Sequence, residues 1–237
     1  MSTETIPTLK GISSMATRQV LAELGAAFEQ RAACAVAIEA VGGVDAAKRV
    51  AAGEAFDVVI LASDAIDKLI AAGHLQAGSR VDLVRSEVAI AVQAGAAVPD
   101  VGSEEALQRA VLAARSISYS TGPSGVALAA LFERWGIAEQ VRARTVQAPP
   151  GVPVGTLVAR GEVELGFQQL SELIHVDGIT LVGGMPAGVQ ITTTFSAGLP
   201  VGLAQQPEQA ARVRDLLQFM TSPDAEAAKR RQGMEPA

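Results

Sequence analysis

Four short loops carry the residues best suited to chemistry in this chain: Gly11-Ile12-Ser13-Ser14, Gly42-Gly43-Val44, Ser120-Thr121-Gly122-Pro123-Ser124-Gly125 and Pro149-Pro150-Gly151-Val152-Pro153. Each lies where a predicted strand runs into a predicted helix. A helix start presents unpaired backbone N–H groups and roughly half a positive charge. Small residues let an anion approach that backbone closely. Ser13, Ser14, Ser120, Thr121 and Ser124 add hydroxyl donors; Gly42, Gly43, Val152 and Val154 offer main-chain amides. One such loop is an ordinary tight turn. Four in one chain point to a cleft that holds a small anion with neutral donors.

Each residue also has a plainer structural role. Ser14 reads equally as the N-cap of the helix that follows it. Arg85 anchors a carboxylate through a bidentate pair if it faces a ligand, and is a surface charge if it does not. Arg18, one turn into the first helix, reads as a solvated cation. Gln168 and Gln169 end a buried strand, and because strand side chains alternate, one of them should face the ligand. Thr192, Thr193 and Thr194 are good strand formers before they are ligand contacts.

The elements that position these loops follow from periodicity. Leu9 to Ile12 predicts a short strand, and Val20, Leu21, Leu24 and Phe28 give the next segment an apolar stripe at helical spacing. Phe56 to Leu61 is a buried strand ending at Ala62-Ser63-Asp64. Ser103 caps a helix with Glu104 and Glu105 in its first turn, the favoured sign there. Val163 to Gln168 predicts a strand and Leu170 to Ile174 a helical turn. Strands alternate with helices almost throughout, which predicts an α/β architecture of mostly parallel sheets flanked by helices. The division is expected to be discontinuous: residues 1–84 with 193–237 form one lobe and 85–192 the other. Two long extended pieces, near Arg85 and near Thr193, cross between the lobes and serve as the hinge.

Composition narrows the function. The 237 residues are 49% hydrophobic but only 3% aromatic, which argues against a surface that stacks nucleic-acid bases. A formal net charge of -6 repels nucleic acid and anionic membrane, so any anion site must be local. A single cysteine, Cys34, excludes an internal disulfide and reads as a small half-buried residue. With only His74 and His175 as histidines, no Cys/His metal site is expected. No Walker loop or dinucleotide fingerprint appears, so no cofactor is expected. No run reaches the length of a membrane span, and Met1 to Lys10 lacks the apolar core of a secretory signal. The expectation is a cytoplasmic protein, or a periplasmic one if a signal has been removed.

The stretches Ala52 to Asp64 (AGEAFDVVILASD), Leu69 to Leu75 (LIAAGHL), Arg160 to Phe167 (RGEVELGF) and Phe219 to Ala225 (FMTSPDA) resemble the type II periplasmic binding-protein fold, specifically its molybdate-binding group. The likeness covers nearly the whole chain and implies a two-lobed fold closing on an anion. The ligand loops depart from that group. Gly42-Gly43 stands where molybdate binders usually carry Ser-Gly, and Gln169 where they carry Tyr. The third loop is Thr-Gly-Pro-Ser-Gly rather than a Pro-Ala-Gly type. The glutamines and extra hydroxyls suit a larger, flatter, more polar ligand such as a carboxylic acid.

A signal-less subgroup of this family is similar to aconitate isomerase, which moves a double bond in a tricarboxylic acid. That resemblance implies a base to remove a proton beside a carboxylate and an acid to return it. Glu172, Tyr119 and Asp64 are the candidates, with His175 a surface group. Glu172 and Asp64 also read as helix caps, and Tyr119 as core. The alternative is a solute-binding protein for a molybdate-like oxyanion, partnered by an ABC-type permease if exported, or acting as a sensor.

Overall fold

The computed structural model describes residues 6–148 and 152–237. Residues 149–151 of the fourth loop therefore lie outside the description. The chain divides into two compact units: residues through Arg85 together with Thr194–Ala237, and Ser86–Thr193.

The first unit opens with β1 (Thr8–Ser14), followed by α1 (Arg18–Glu29), β2 (Ala35–Val41), α2 (Gly43–Ala51), β3 (Val58–Ala62) and α3 (Ser63–Ala71). β4 (Val81–Gln93) then leads into the second unit. β1 pairs in parallel with β2 and with β3, so that Ser14 stands opposite Val41 and Ser13 opposite Ile60. Every residue of β3 is buried. Val58 and Ile60 face one core with Leu9, Val20, Leu24 and Phe28, whereas Val59 and Leu61 face another with Ile12, Val50, Ile66 and Leu69. Helices thus cover both faces of this sheet, which explains the continuous apolar run of β3.

The second unit contains the rest of β4, then α4 (Glu104–Ala113), β5 (Ile117–Tyr119), α5 (Pro123–Arg134), α6 (Ala138–Arg142), α7 (Val154–Ala159), β6 (Leu165–Gln169), α8 (Leu170–Leu173) and β7 (Ile179–Gly184). β6 pairs in parallel with β5 and antiparallel with β4. Leu165 and Phe167 pack with Leu107, Leu128 and Phe132 on one face. On the other face Ala89 and Ala91 pack with Val154, Leu157 and Val158 of α7. Gly166 permits that approach: a Cβ there would lie 2.5 Å from Val158 Cγ2.

β8 (Thr192–Gly198) returns the chain to the first unit, where α9 (Pro207–Thr221), α10 (Glu226–Arg231) and β9 (Glu235–Pro236) complete it. β8 lies antiparallel to β3, and β9 antiparallel to β4. The α10 residue Lys229 is buried, and its Nζ donates to the Leu83 carbonyl at 2.8 Å.

Several local expectations need correction. Parallel pairing holds for the pairs β1–β2, β1–β3 and β5–β6; the returning strands β4, β7, β8 and β9 pair antiparallel, so the sheets are mixed. Ser14 has extended backbone geometry, but its side chain caps nothing. A 3-10 turn, Met15–Thr17, precedes α1, and Thr17 Oγ1 donates to the Ser14 carbonyl at 3.0 Å. α3 begins at Ser63 with Ala62 at its N-cap, so Asp64 lies in the first turn rather than at the cap. Ser103 does cap α4, accepting from the Ala106 N–H at 3.1 Å.

Candidate functional site

In the first unit the polar residues collect at the carboxyl ends of β1 and β2, where open α/β sheets bind ligands. Ser13 and Ser14 are both buried. Ser13 Oγ donates to the Glu39 carbonyl at 3.4 Å, a long contact. Ser14 Oγ is buried and has no hydrogen-bond partner among the described residues. Register places Ser14 beside Val41, and a Cβ on Gly43 would lie 3.6 Å from the Ser14 Cβ. The Gly42 carbonyl accepts the Ala46 N–H at 2.9 Å and starts α2. A buried hydroxyl without a partner costs about 1–3 kcal/mol. It is therefore a group waiting for an acceptor.

Asp64 is exposed and pairs with Lys68 at 3.3 Å. Arg18 is exposed, as its solvated reading expects. Arg85 is exposed and has no ion-pair partner among the described residues. Cys34 is buried, and desolvation pushes its thiol above the ordinary range, so it behaves as packing rather than as a nucleophile.

In the second unit two polar groups form at strand ends. At the end of β5, Ser120 Oγ and Ser124 Oγ lie 3.0 Å apart, closing the turn into α5. Gly125 makes this turn possible: a Cβ at that position would fall 1.6 Å from the Ser120 carbonyl oxygen. Thr121 is exposed on the same turn. Tyr119 is half-buried and stands edge-on to Phe132, with ring centroids 5.9 Å apart. The neighbouring Ser118 Oγ is buried without a partner among the described residues.

At the end of β6, Gln168 and Gln169 are both buried. Adjacent strand positions leave opposite faces, and Gln168 and Gln169 accordingly find different partners. The strand is covered on both faces, so each amide must find polar partners inside the protein. Gln168 Oε1 accepts the Gly155 N–H of α7 at 3.1 Å, and its Nε2 donates to Glu172 Oε1 at 2.9 Å. Gln169 Nε2 donates to Thr193 Oγ1 at 2.8 Å, while Gln169 Oε1 is buried without a partner among the described residues. Ser86 and Ser171, both buried, place their hydroxyls 3.5 Å apart.

Glu172 stands on α8, one turn past the end of β6. The residue as a whole is half-buried, yet its carboxyl is surrounded closely enough that desolvation dominates its chemistry. Burial pushes its pKa up to about 7, and the Gln168 hydrogen bond pulls in the opposite direction with less effect. Among the described residues no charged neighbour contributes. A carboxyl in this state holds a proton about half the time at neutral pH, as a proton-transfer group requires. His175 is exposed.

The start of α7 is packed by its side chains and also serves Gln168. Val152 and Val154 pack their side chains with the apolar cluster around Leu157 and Val158, and the Gly155 amide is taken by Gln168. Gly155 and Ser86 escaped sequence reasoning. Ser86 left a signal: between exposed Arg85 and Glu87, strand alternation puts it in the buried row, where a serine needs a partner. Among the described residues no group of three or more His, Cys, Asp or Glu side chains is placed to hold a metal ion. No helix among them is long and apolar enough to cross a membrane.

The mixed α/β units, with polar groups gathered at strand ends, match one family over residues 9–235, and the chain belongs to the bacterial extracellular solute-binding proteins. Within reach of this family, an aconitate isomerase from Pseudomonas sp. is 38% identical over 242 residues, covering 100% of this chain and 90% of that protein. The periplasmic molybdate-binding protein of Azotobacter vinelandii superposes with a TM-score of 0.78 at 20% identity, covering 97% of this chain and 99% of that one. A periplasmic thiamin-binding protein superposes with a TM-score of 0.77 at 18% identity, covering 99% and 85%. At such identities these two structures establish the fold alone.

Proposed function

We propose that the protein is an isomerase of a small di- or tricarboxylic acid of the aconitate type, shifting a double bond by proton transfer without a cofactor. The observation that carries this reading is Glu172: a carboxyl with a pKa of about 7, fixed by Gln168 at the end of a buried strand. The full-length likeness to an aconitate isomerase supports it. Neutral donors of the same unit, among them the Ser120–Ser124 turn, hold the substrate carboxylates. They stabilise charge without quenching the base, as a nearby lysine would by lowering its pKa.

The step balances internally. Glu172, ionised, takes a proton from the methylene carbon between the double bond and a carboxylate. The freed electron pair forms the new double bond as the old one opens, and the protonated Glu172 returns its proton to the far carbon. Nothing is oxidised or reduced. Of the three acid–base candidates the role goes to Glu172: Asp64 is exposed and paired with Lys68, and Tyr119 is packed against Phe132.

The test is proton NMR of cis- and trans-aconitate incubated with the protein in deuterated water. Interconversion abolished in Glu172→Gln is the expected result, with deuterium entering the carbon skeleton in those turnovers where the Glu172 proton exchanges with solvent between the two transfers. A second reading, binding of an oxyanion for an ABC-type permease, is favoured by membership of a solute-binding family. It prevails if molybdate or tungstate raises the melting temperature strongly while aconitate and related acids neither bind nor react.

A further inference from the structure

The two hydrogen bonds of Gln168 have opposite polarity, and this constrains Glu172. The Gly155 N–H is a donor only, so Gln168 must turn its carbonyl oxygen toward α7. Its NH2 group is then aimed at Glu172 Oε1, 2.9 Å away. Flipping the amide would set Nε2 against the Gly155 N–H, two donors face to face in a buried site where Gln168 is only 4% exposed. The amide is locked. An N–H donor pointing at Oε1 excludes a proton from that oxygen in either charge state of Glu172. The other oxygen, Oε2, has no hydrogen-bond partner among the described residues.

We propose that Gln168 is a positioning residue that selects the reacting oxygen of Glu172: Oε1 is held permanently as an acceptor, and the proton moves on and off Oε2 alone. The Gly155 amide sets the orientation of Gln168, which in turn sets that of the carboxyl. This rests on the isomerase reading, since it assigns the atom that performs the transfer. It makes Gln168 contribute to turnover rather than to substrate affinity. A base whose reactive lone pair is fixed in direction meets the substrate proton without first having to reorient.

The experiment compares wild type, Gln168→Met, Gln168→Glu and Glu172→Gln. Infrared difference spectra at acid pH, with the Glu172→Gln spectrum subtracted, isolate the C=O stretch of protonated Glu172. In wild type that stretch is lowered by the hydrogen bond into Oε1; in Gln168→Met it moves to higher wavenumber. The titration midpoint of the same band rises in Gln168→Met by at least half a pH unit, a threefold gain in proton affinity, because a donor favouring the ionised form is lost. In the same variant kcat falls at least tenfold while KM changes less than twofold. Gln168→Glu keeps an acceptor for Gly155 and so guards against a variant that fails to fold; it too shifts the midpoint upward, now by like-charge repulsion. An unchanged C=O stretch and midpoint in folded Gln168→Met, or in folded Gln168→Glu if the first variant does not fold, overturns the proposal. Full activity of Glu172→Gln instead overturns the isomerase role of Glu172, and the infrared result still reports on Gln168, so the two failures are told apart.

Discussion

Replacing Glu172 by Gln removes an ionisable group and preserves shape and the acceptor for Gln168 Nε2. Its effect on stability has a definite sign and pH window. The folded state raises this carboxyl from its ordinary 4.5 to about 7. The native protein therefore binds the proton more tightly than the unfolded chain does. The sign follows directly: stability is intact below pH 4.5, declines as pH rises toward 7, and levels off above it. At about 1.4 kcal/mol for each pH unit of displacement, the ionised carboxyl costs the fold about 3 kcal/mol at pH 8. Glu172→Gln escapes that cost. Urea unfolding of both proteins at several values between pH 4.5 and 8 should show the variant gaining on the wild type as pH rises. The gap opens to about 3 kcal/mol and then stops growing. The same variant should be inactive as an isomerase. A gain in stability that accompanies loss of turnover is the mark of a group kept for chemistry at the expense of the fold. A stability difference that is constant across this range refutes the desolvation argument, and with it the reason for assigning Glu172 the proton transfer.

Three further outcomes follow from the geometry. Ser14→Ala removes a buried hydroxyl that has no partner among the described residues, so chemical denaturation should show stability unchanged or raised by up to about 1 kcal/mol. Gly125→Ala drives a methyl into the Ser120 carbonyl, whose oxygen would lie 1.6 Å away; because the obstacle is backbone, the α5 turn must move, and a loss of at least about 3 kcal/mol is expected by thermal or urea unfolding. Lys229 has a pKa lowered from 10.5 by burial, with Glu226 opposing, so the wild type should gain stability as pH climbs toward 10.5; Lys229→Met should lack that rise, measured by unfolding at pH 7 to 10.

The sequence by itself determined the architecture and the general character of the site. The stripe Val20, Leu21, Leu24 and Phe28 demands a helix laid on a core, and all four residues are buried there. The unbroken run of β3 demands a strand covered on both faces, and the Ser103 cap and the Glu104–Glu105 turn mark a helix start unaided. These are local signals, carried by spacings of two to four residues, and physics reads them without knowing the rest of the fold. The loops of Ser, Thr and Gly at helix starts were legible for the same reason.

Tertiary structure decided which of those groups are free and which are spent. Ser14 has the sequence of a cap, yet its hydroxyl caps nothing because a 3-10 turn intervenes. At the α7 start the Gly155 amide is taken by Gln168, a pairing no local pattern announces. Above all, the order of residues makes Glu172 a candidate beside Tyr119 and Asp64 but does not set its protonation. Its pKa of about 7 comes from surrounding protein atoms that displace water from its carboxyl, against the pull of Gln168. Desolvation is a sum over every atom that comes near in space, and hydrogen-bond polarity depends on which donors and acceptors the fold brings within reach. Neither quantity exists until the chain has folded.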